Sequence, residues 1–228
     1  HGTYTGEILL AGRPAAFHDI RAGERAGIAI IHQELSLIPE LSITENLFLG
    51  NETARGGVID WRAAQARARE LMVRVGLEED PATAVKNIGV GKQQLVEIAK
   101  ALGKDARILI LDEPTAALNE EDSRHLLALL RELRARGVAC ILISHKLNEV
   151  RAVADAVTII RDGRSVETLR PECGETGGVD EDRIIRGMVG RPLDTRYPER
   201  VPKVGEVFFE VRDWTVRHPQ FPERLVCK

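Results

Sequence analysis

Two adjacent carboxylates, Asp112 and Glu113, follow directly after the apolar run 108–111. The run has the length and composition of a buried strand, so both acids stand where that strand leaves the hydrophobic core. Two negative charges at such a place are costly unless a cation or a reacting group uses them. The pair therefore predicts a site at which a cation or a reacting group uses these carboxylates. The alternative is a strand end with solvated acids, and the Pro114-Thr115 pair that follows favours the chemical role.

A histidine follows the next apolar segment in the same way. Residues 138–144 have the composition of a strand, and His145 comes directly after them. In a parallel sheet the carboxyl ends of neighbouring strands lie side by side, which is where ligands bind in open α/β folds. We therefore expect His145 near Glu113, where an imidazole can hydrogen-bond a phosphate oxygen or orient a water molecule. A single histidine is more often structural, and its position beside the acidic strand is what favours this role.

Two weaker signals are an amide and a glycine turn. Gln33 follows the apolar run 27–31, and its side chain can reach both a metal ion and a water molecule. Gly89 and Gly91 precede a helical pattern, so backbone N–H groups at the helix N-terminus are open to an anion. A glycine turn before a helix is also common without any ligand.

The segments around these residues alternate between strand and helix. The predicted strands cover residues 27–31, 107–111, 138–144 and 156–160, with a β-hairpin region over residues 6–14. The predicted helices between the later strands cover residues 120–136 and 147–154. Strands separated by helices of this length indicate a parallel sheet with right-handed crossovers, so the predicted fold class is α/β.

A helical segment, residues 42–104, interrupts this alternation. Ser42 or Thr44 has the position of an N-cap for its first helix, and Asp60 has that position for the second. A third helix is predicted over residues 92–102, where apolar residues recur at helical spacing.

Composition then changes twice along the chain. Residues 1–170 carry the strands and helices, whereas residues 171–205 are rich in proline and glycine and indicate a linker. A short helix is predicted within that linker, over residues 181–188. Residues 206–211 alternate again, which predicts a strand that begins a new domain over residues 206–228.

Charge and hydropathy restrict the classes of partner. The chain has 32 basic and 35 acidic residues, and this near balance gives no reason to expect nucleic-acid binding. No segment approaches the roughly 20 apolar residues that span a bilayer, so any membrane role has to come through a partner. Three cysteines without a CxxC pair indicate neither a disulfide framework nor a zinc site.

Taken in order, these features resemble the nucleotide-binding cassette of ABC transporters. The matching motifs are the Q-loop glutamine (Gln33), the signature motif (89–94), the Walker B pair (Asp112, Glu113), the D-loop (116–119) and the switch histidine (His145). The resemblance implies an ABC-type P-loop NTPase core with a helical subdomain at residues 42–104, and ATP and Mg²⁺ as its ligands.

The resemblance also implies a role for each matched residue. Glu113 corresponds to the general base, His145 supports the γ-phosphate, and Asp112 and Gln33 belong to the Mg²⁺ shell. Nucleotide contacts are implied for Gln33, Gly89, Gly91, Lys92 and Asn119. In the family the signature motif acts on ATP held by the opposite cassette.

Within that superfamily the sequence is closer to the carbohydrate importers of the ribose, galactose and xylose group, and nearest to the xylose branch. The supporting segments are residues 32–35, 44–50, 94–102 and 187–191. Subunits of that group carry two cassettes in one polypeptide, which agrees with residues 1–170 as the remainder of a first cassette and 206–228 as the start of a second. The implied partners are membrane permease subunits and a periplasmic or extracellular sugar-binding protein. The implied location is peripheral, at the cytoplasmic face of the cell membrane.

The sequence departs from the family pattern in several places. No Gly-x-x-x-x-Gly-Lys-Ser/Thr loop occurs in residues 1–228, so we expect the first strand and the phosphate loop to be missing and the chain alone to be inactive. The signature motif has Gly89 in place of serine and Lys92 in place of glutamine, and the D-loop has Asn119 in place of aspartate.

Two other functions share these motifs. An ATPase of a nucleoside importer has the same double-cassette pattern. A soluble ABC ATPase that acts on ribosomes or DNA is disfavoured, because the charge is balanced and the linker is not a long basic helix.

Overall fold

The computed structural model describes residues 5–52, 54–55, 57–170, 180–190, 206–212, 214–217 and 225–227. The chain forms two compact units, His1–Met188 and Val189–Lys228. Within the described residues the strands are β1 (Ile8–Leu10), β2 (Arg13–Ala15), β3 (Ile28–Ile31), β4 (Ala54–Arg55), β5 (Val58–Ile59), β6 (Ile108–Asp112), β7 (Ala139–Ile143), β8 (Val157–Arg161), β9 (Arg164–Leu169), β10 (Val216–Arg217) and β11 (Leu225–Cys227). The helices are α1 (Ile20–Arg25), α2 (Ile43–Phe48), α3 (Trp61–Arg74), α4 (Val90–Gly103), α5 (Glu120–Ala135), α6 (Leu147–Val153) and α7 (Glu181–Val189).

The central sheet of the first unit has three parallel strands in the order β3, β6, β7. Ile31 pairs with Leu111, and Leu111 pairs with Leu142, so the three strands end in register at one edge. Leu109 and Leu111 are fully buried in the core. The predicted parallel sheet and α/β class are therefore confirmed for these strands, and β1 and β2 form the predicted hairpin.

The prediction for residues 156–160 was only partly right. They form β8, but β8 pairs antiparallel with β9 in a separate sheet and does not join the parallel sheet. Strand β9 was not predicted. Asp162 and Gly163 have φ values of 51° and 72°, the left-handed pair of a two-residue hairpin turn. That turn sends the chain back beside β8.

Helices α2, α3 and α4 form the predicted helical region and pack against one another. The third helix is slightly longer than predicted, and it begins at Val90 and ends at Gly103. Ile43, Ala68 and Ile98, one from each helix, are fully buried in the same core as the sheet residues.

A capping box starts α2 and settles which of the two predicted residues is the N-cap. The Ser42 hydroxyl accepts from the Glu45 N–H at 3.2 Å, and the Glu45 carboxylate accepts from the Ser42 N–H at 2.7 Å. Thr44 is not the cap, because its hydroxyl donates to the carbonyl of Pro81. Asp60 caps α3 as predicted, by accepting from the N–H of Ala63.

Replacing Ser42 by alanine is expected to lower the free energy of unfolding by about 1 kcal/mol, because it removes one half of the capping box. Urea unfolding monitored by circular dichroism measures the change. The matched control is Ser36→Ala, since Ser36 is exposed and its hydroxyl has no partner among the described residues.

The effect of Ser42→Ala should depend on pH in a defined direction. Hydrogen bonds from Ser42 lower the pKa of the Glu45 carboxyl below its usual range. Their contribution is therefore complete above the ordinary pKa of a glutamate carboxyl in the unfolded chain, and it is lost as the pH falls through the lower folded value. An energy difference between wild type and Ser42→Ala that stays constant down to pH about 2 would contradict this assignment.

The described parts of the second unit differ from the sequence prediction. Residues 206–212 form no strand, so the strand predicted at 206–211 was wrong. A strand needs a neighbour for its backbone hydrogen bonds, and no described residue pairs with this segment. Instead β10 pairs antiparallel with β11. The proposal that a second cassette begins at 206 stays a prediction.

The predicted short helix at 181–188 is confirmed as α7. Its Ile184 is buried against Ile159 and Leu169 of the β8–β9 hairpin, and Arg183 forms an ion pair with Glu167. The rest of the predicted linker, 171–179 and 191–205, lies outside the described residues.

None of the helices in the described part of the chain combines the length and the apolar character that crossing a bilayer requires.

Candidate active site

The side chains predicted to do chemistry follow the carboxyl ends of the three parallel strands. Gln33 lies two residues beyond the end of β3, Asp112 is the last residue of β6, and His145 lies two residues beyond β7. The register of the sheet places Asp112 opposite Ile143. The short segments after β6 and β7 therefore run side by side at this edge.

Glu113 and His145 are in direct contact, which confirms their predicted proximity. Glu113 Oε1 lies 3.0 Å from His145 Nδ1, a hydrogen bond in which the imidazole N–H donates when the carboxylate is ionised. The two side chains are 31% and 62% exposed, so the pair is open to water on one side. A carboxylate held by an imidazole and facing water can accept a proton from an attacking water molecule.

The backbone of Glu113 is unusual. Its φ of 44° lies in the left-handed region, which non-glycine residues seldom adopt. The Glu113 N–H donates to the carbonyl of Ile143 at 2.9 Å, so the conformation is fixed by the neighbouring strand. Strain of this kind persists where surrounding contacts hold a residue in one position, and it is frequent at functional sites.

A buried polar network lies behind the pair. The hydroxyl of Thr115, only 1% exposed, donates to the carboxylate of Glu149 at 2.5 Å, and Glu149 is 6% exposed. Lys146 Nζ lies 3.3 Å from the same carboxylate and donates to the carbonyl of Thr115 at 2.8 Å. The network thus links the turn after Glu113 to the residue after His145, and it holds these two segments next to each other.

The sequence prediction included Pro114-Thr115 only as part of a motif, and it did not include Lys146 or Glu149 among the site residues. Thr115 and Glu149 stand 34 residues apart, so no local pattern joins them. The one usable signal was an acidic residue in the first turn of α6.

Asp112 has the properties of a metal ligand. It is half-buried at the end of β6, and its carboxylate has no hydrogen bond or ion pair within the described part of the chain. Carboxylate and amide oxygens, as in Asp112 and Gln33, are the ligands that Mg²⁺ accepts, usually only one or two from the protein with water and phosphate completing the shell. The described His, Cys, Asp and Glu residues form no cluster of three that would hold a metal ion by themselves. The donor set therefore fits Mg²⁺ bound together with a phosphate ligand.

The glycine turn begins α4. Gly89 is the N-cap and supplies no side-chain hydrogen bond, so the first N–H groups of this helix are left without a side-chain partner at the cap. A Cβ at Gly91 would lie 2.5 Å from the carboxylate carbon of Asp122, so a larger residue there would require the Asp122 side chain to move. Asp122 is also hydrogen-bonded to the side chain of Asn119. The Asp122 N–H donates to the Asn119 side-chain oxygen at 2.8 Å, and the Asn119 amide donates to the Asp122 carboxylate at 3.0 Å. The turn and the predicted D-loop residue therefore meet through Asp122.

Lys92 is not free. Its ammonium lies 2.5 Å from a carboxylate oxygen of Glu79, and its side chain is half exposed. No hydrogen bond or ion pair between described residues joins the turn at Gly89–Gly91 to Glu113 or His145. The predicted site residues therefore form two groups, one at the sheet edge and one at the start of α4.

Comparison with known proteins identifies the family of this chain. Residues 2–116 match the family model described as ABC transporter. The L-arabinose transport ATP-binding protein AraG of Geobacillus stearothermophilus is 60% identical over 226 residues, which are 99% of this chain and 44% of that protein. The xylose import ATP-binding protein XylG of Moorella thermoacetica is 50% identical over 228 residues, which are 100% of this chain and 44% of that protein. The chain thus spans less than half the length of these curated relatives.

Solved structures resemble the fold. The dimeric ATP-binding cassette MJ0796 bound to ADP and Pi is 24% identical with a TM-score of 0.60, and the match covers 73% of each chain. The protein cbiO1 from Clostridium perfringens, part of the ABC transporter complex cbiONQ, is 24% identical with a TM-score of 0.62, over 74% of this chain and 67% of that one. The predicted ABC-type fold is confirmed by these likenesses.

Proposed function

Because the chain belongs to the ABC transporter family, we propose that the protein containing it hydrolyses ATP with Mg²⁺ to drive the import of a pentose sugar. The observation that carries the proposal is the hydrogen-bonded pair Glu113–His145 next to Asp112, whose carboxylate has no hydrogen bond or ion pair to any described residue. These three groups are what the hydrolysis of a phosphate anhydride requires at one sheet edge: a proton acceptor, a group that orients it, and a metal ligand.

Each residue at this edge has a defined part in the proposed reaction. Glu113 accepts the proton of the attacking water, and His145 holds the Glu113 carboxylate in place and contacts the γ-phosphate. Asp112 and Gln33 would hold Mg²⁺, which would neutralise charge on the phosphate oxygens when bound. The strained backbone at Glu113 and the network behind it keep the carboxylate aimed at one position.

The second group of residues is proposed to act on a different nucleotide. Gly89, Gly91, Lys92 and Asn119 would face ATP held by another cassette, in agreement with their separation from the sheet edge. Lys92 would have to leave Glu79 to reach a phosphate. Both side chains of that ion pair are partly exposed, at 50% and 24%, and such pairs contribute little stability, so this exchange is feasible.

The phosphate loop is proposed to come from residues outside 1–228. The sheet exposes a continuous apolar face, with Ile30 53%, Ile141 52% and Ile143 49% accessible. Helices cover both faces of parallel sheets, so this face fits a helix that follows a phosphate loop. We expect the chain 1–228 by itself to show no ATP hydrolysis.

The substrate and partners are inferred from the relatives. AraG is named for L-arabinose and XylG for xylose, and both sugars are pentoses. We therefore propose that the protein acts with membrane permease subunits and a periplasmic or extracellular sugar-binding protein. We further propose a second cassette in the same polypeptide and a peripheral location at the cytoplasmic face of the membrane.

Deleting the gene is expected to abolish uptake of radiolabelled L-arabinose or xylose while glucose uptake is unchanged. Uptake should return on expression of the wild-type gene. Unchanged pentose uptake with loss of nucleoside uptake would instead support a nucleoside importer. Co-sedimentation of the protein with ribosomes, with no uptake defect, would support a soluble ABC ATPase.

A further inference from the structure

The loop between β3 and α2, residues 32–42, is attached to two different helices. The N–H of Ser36 donates to the Glu97 carboxylate of α4 at 2.7 Å. Two residues later, the N–H of Ile38 donates to the side-chain oxygen of Asn46 in α2 at 2.8 Å. Gln33, at the sheet end of the same loop, is exposed and its side chain has no partner among the described residues. The loop is therefore anchored on the helical region, and Gln33 is left accessible.

Glu97 is an unusual residue for its position. It is 8% exposed in the middle of α4, and its neighbours Val96 and Ile98 are fully buried in the apolar core. Within the described residues no lysine, arginine or histidine pairs with it, and the hydrogen bond from Ser36 is its only side-chain hydrogen bond there. A buried carboxylate is costly where an apolar side chain would pack without penalty. A hydrogen bond to a charged acceptor is stronger than a neutral one, so the contact partly offsets that cost.

We propose that Glu97 is a positioning residue that couples Gln33 to the glycine turn at the start of α4. Glu97 lies eight residues after Gly89 on one continuous helix, a rise of about 12 Å. A shift of α4 would therefore move the turn and the anchored Ser36 together, and the two residues between Ser36 and Gln33 would carry the movement to Gln33. The coupling between the two groups of site residues rests on the proposed function, whereas the anchoring itself does not.

The first test measures the anchor directly. Hydrogen–deuterium exchange with residue-level fragmentation is recorded on the complete gene product, as wild type, Glu97→Ala, Glu97→Gln and the control Glu70→Ala. Glu70 is an exposed acid of α3 without a hydrogen-bond partner among the described residues. We expect the Ser36 amide to exchange about tenfold faster in Glu97→Ala, because its acceptor is gone. The exchange rate of the Ser36 amide should stay close to the wild-type rate in Glu97→Gln, whose amide oxygen still accepts the hydrogen bond, and in Glu70→Ala.

The amides of Leu109 and Leu111 in β6 separate a local effect from a global one. They should exchange at wild-type rates in every variant. Unchanged exchange at Ser36 in Glu97→Ala would overturn the anchor, and so would equal acceleration at Ser36 and in β6, which would indicate only a less stable fold.

The second test measures the consequence for the site. In the complete gene product we expect Glu97→Ala to lower kcat for ATP hydrolysis about tenfold with little change in KM, because Gln33 is misplaced at the metal while the phosphate contacts remain. Glu97→Gln should restore most of kcat. An unchanged kcat, or a rise in KM alone, would overturn the coupling. Absence of hydrolysis in the wild type would overturn the proposed function, while the anchor would still be judged by exchange at Ser36.

Discussion

Glutamine in place of Glu113 is expected to reduce the rate of ATP hydrolysis by at least about 100-fold and to leave ATP binding nearly unchanged. The amide has the shape of the carboxylate and can still contact His145, whose Nδ1 lies 3.0 Å from Glu113 Oε1 in the wild type. An amide does not accept a proton from water at neutral pH, so the chemical step loses its base. The phosphate contacts and the Mg²⁺ ligand Asp112 are not altered, so the affinity for ATP should persist.

Two measurements on the complete gene product separate these effects. Single-turnover phosphate release reports the chemical step, and titration with a fluorescent ATP analogue reports binding. The matched control is Asp162→Asn, since Asp162 is the acid of an exposed turn and shares the positive φ of Glu113. Retention of more than about a tenth of the wild-type rate in Glu113→Gln would argue against a base at this position.

The same assay examines the chain 1–228 alone. We expect no phosphate release above background, because the sequence contains no loop of the phosphate-binding type. Turnover by this chain that disappears in Glu113→Gln would show that the loop is dispensable.

The parallel sheet and its reactive edge were predictable for a physical reason. A buried parallel strand is a short continuous apolar run, and the order of strands and helices forces the carboxyl ends to one side. Polar residues that follow such runs are therefore placed at the same end of the sheet, and Glu113 and His145 are in contact there. No knowledge of the side-chain conformations was needed for this step.

The supporting contacts were not predictable in the same way. The bonds from Thr115 to Glu149 and from Ser36 to Glu97 join residues 34 and 61 positions apart. In each case a buried carboxylate accepts a hydrogen bond from a donor that is distant in sequence, and Glu149 has the nearby Lys146 as well. Such contacts follow from the packed core and cannot be read from periodicity.

Alternation of apolar and polar residues was not sufficient for a strand. Residues 206–211 alternate and yet form no strand, and Phe208 is fully exposed. Residues 164–169 form β9 although they are mostly exposed, because the Asp162-Gly163 turn places them beside β8. Residues 164–169 have a neighbouring strand for their backbone hydrogen bonds, and residues 206–211 have none among the described residues, which explains both outcomes.

The largest effect on stability is expected from Asn46, whose side chain is fully buried and makes four hydrogen bonds to backbone. Its oxygen accepts from the N–H of Ile38, and its amide donates to the carbonyls of Ile38, Leu41 and Ser42 at 3.0, 3.3 and 3.0 Å. Alanine would leave these groups without partners and open a small cavity. We expect Asn46→Ala to lower the free energy of unfolding by about 3 kcal/mol, since each unsatisfied buried group costs about 1 to 3 kcal/mol and part of the loop can rehydrate.

Urea unfolding at neutral pH measures this change, with Asn51→Ala as the control, because Asn51 is an exposed asparagine just beyond the same helix. The control should stay within about 0.5 kcal/mol of wild type. Asn46→Asp is a sharper variant: it keeps the acceptor for Ile38 but loses the amide donor and buries a charge next to three carbonyls, so it should be at least as destabilising as alanine. If Asn46→Ala and Asn51→Ala were equally stable, the hydrogen bonds between Asn46 and the loop that carries Gln33 would not contribute to the stability of the fold.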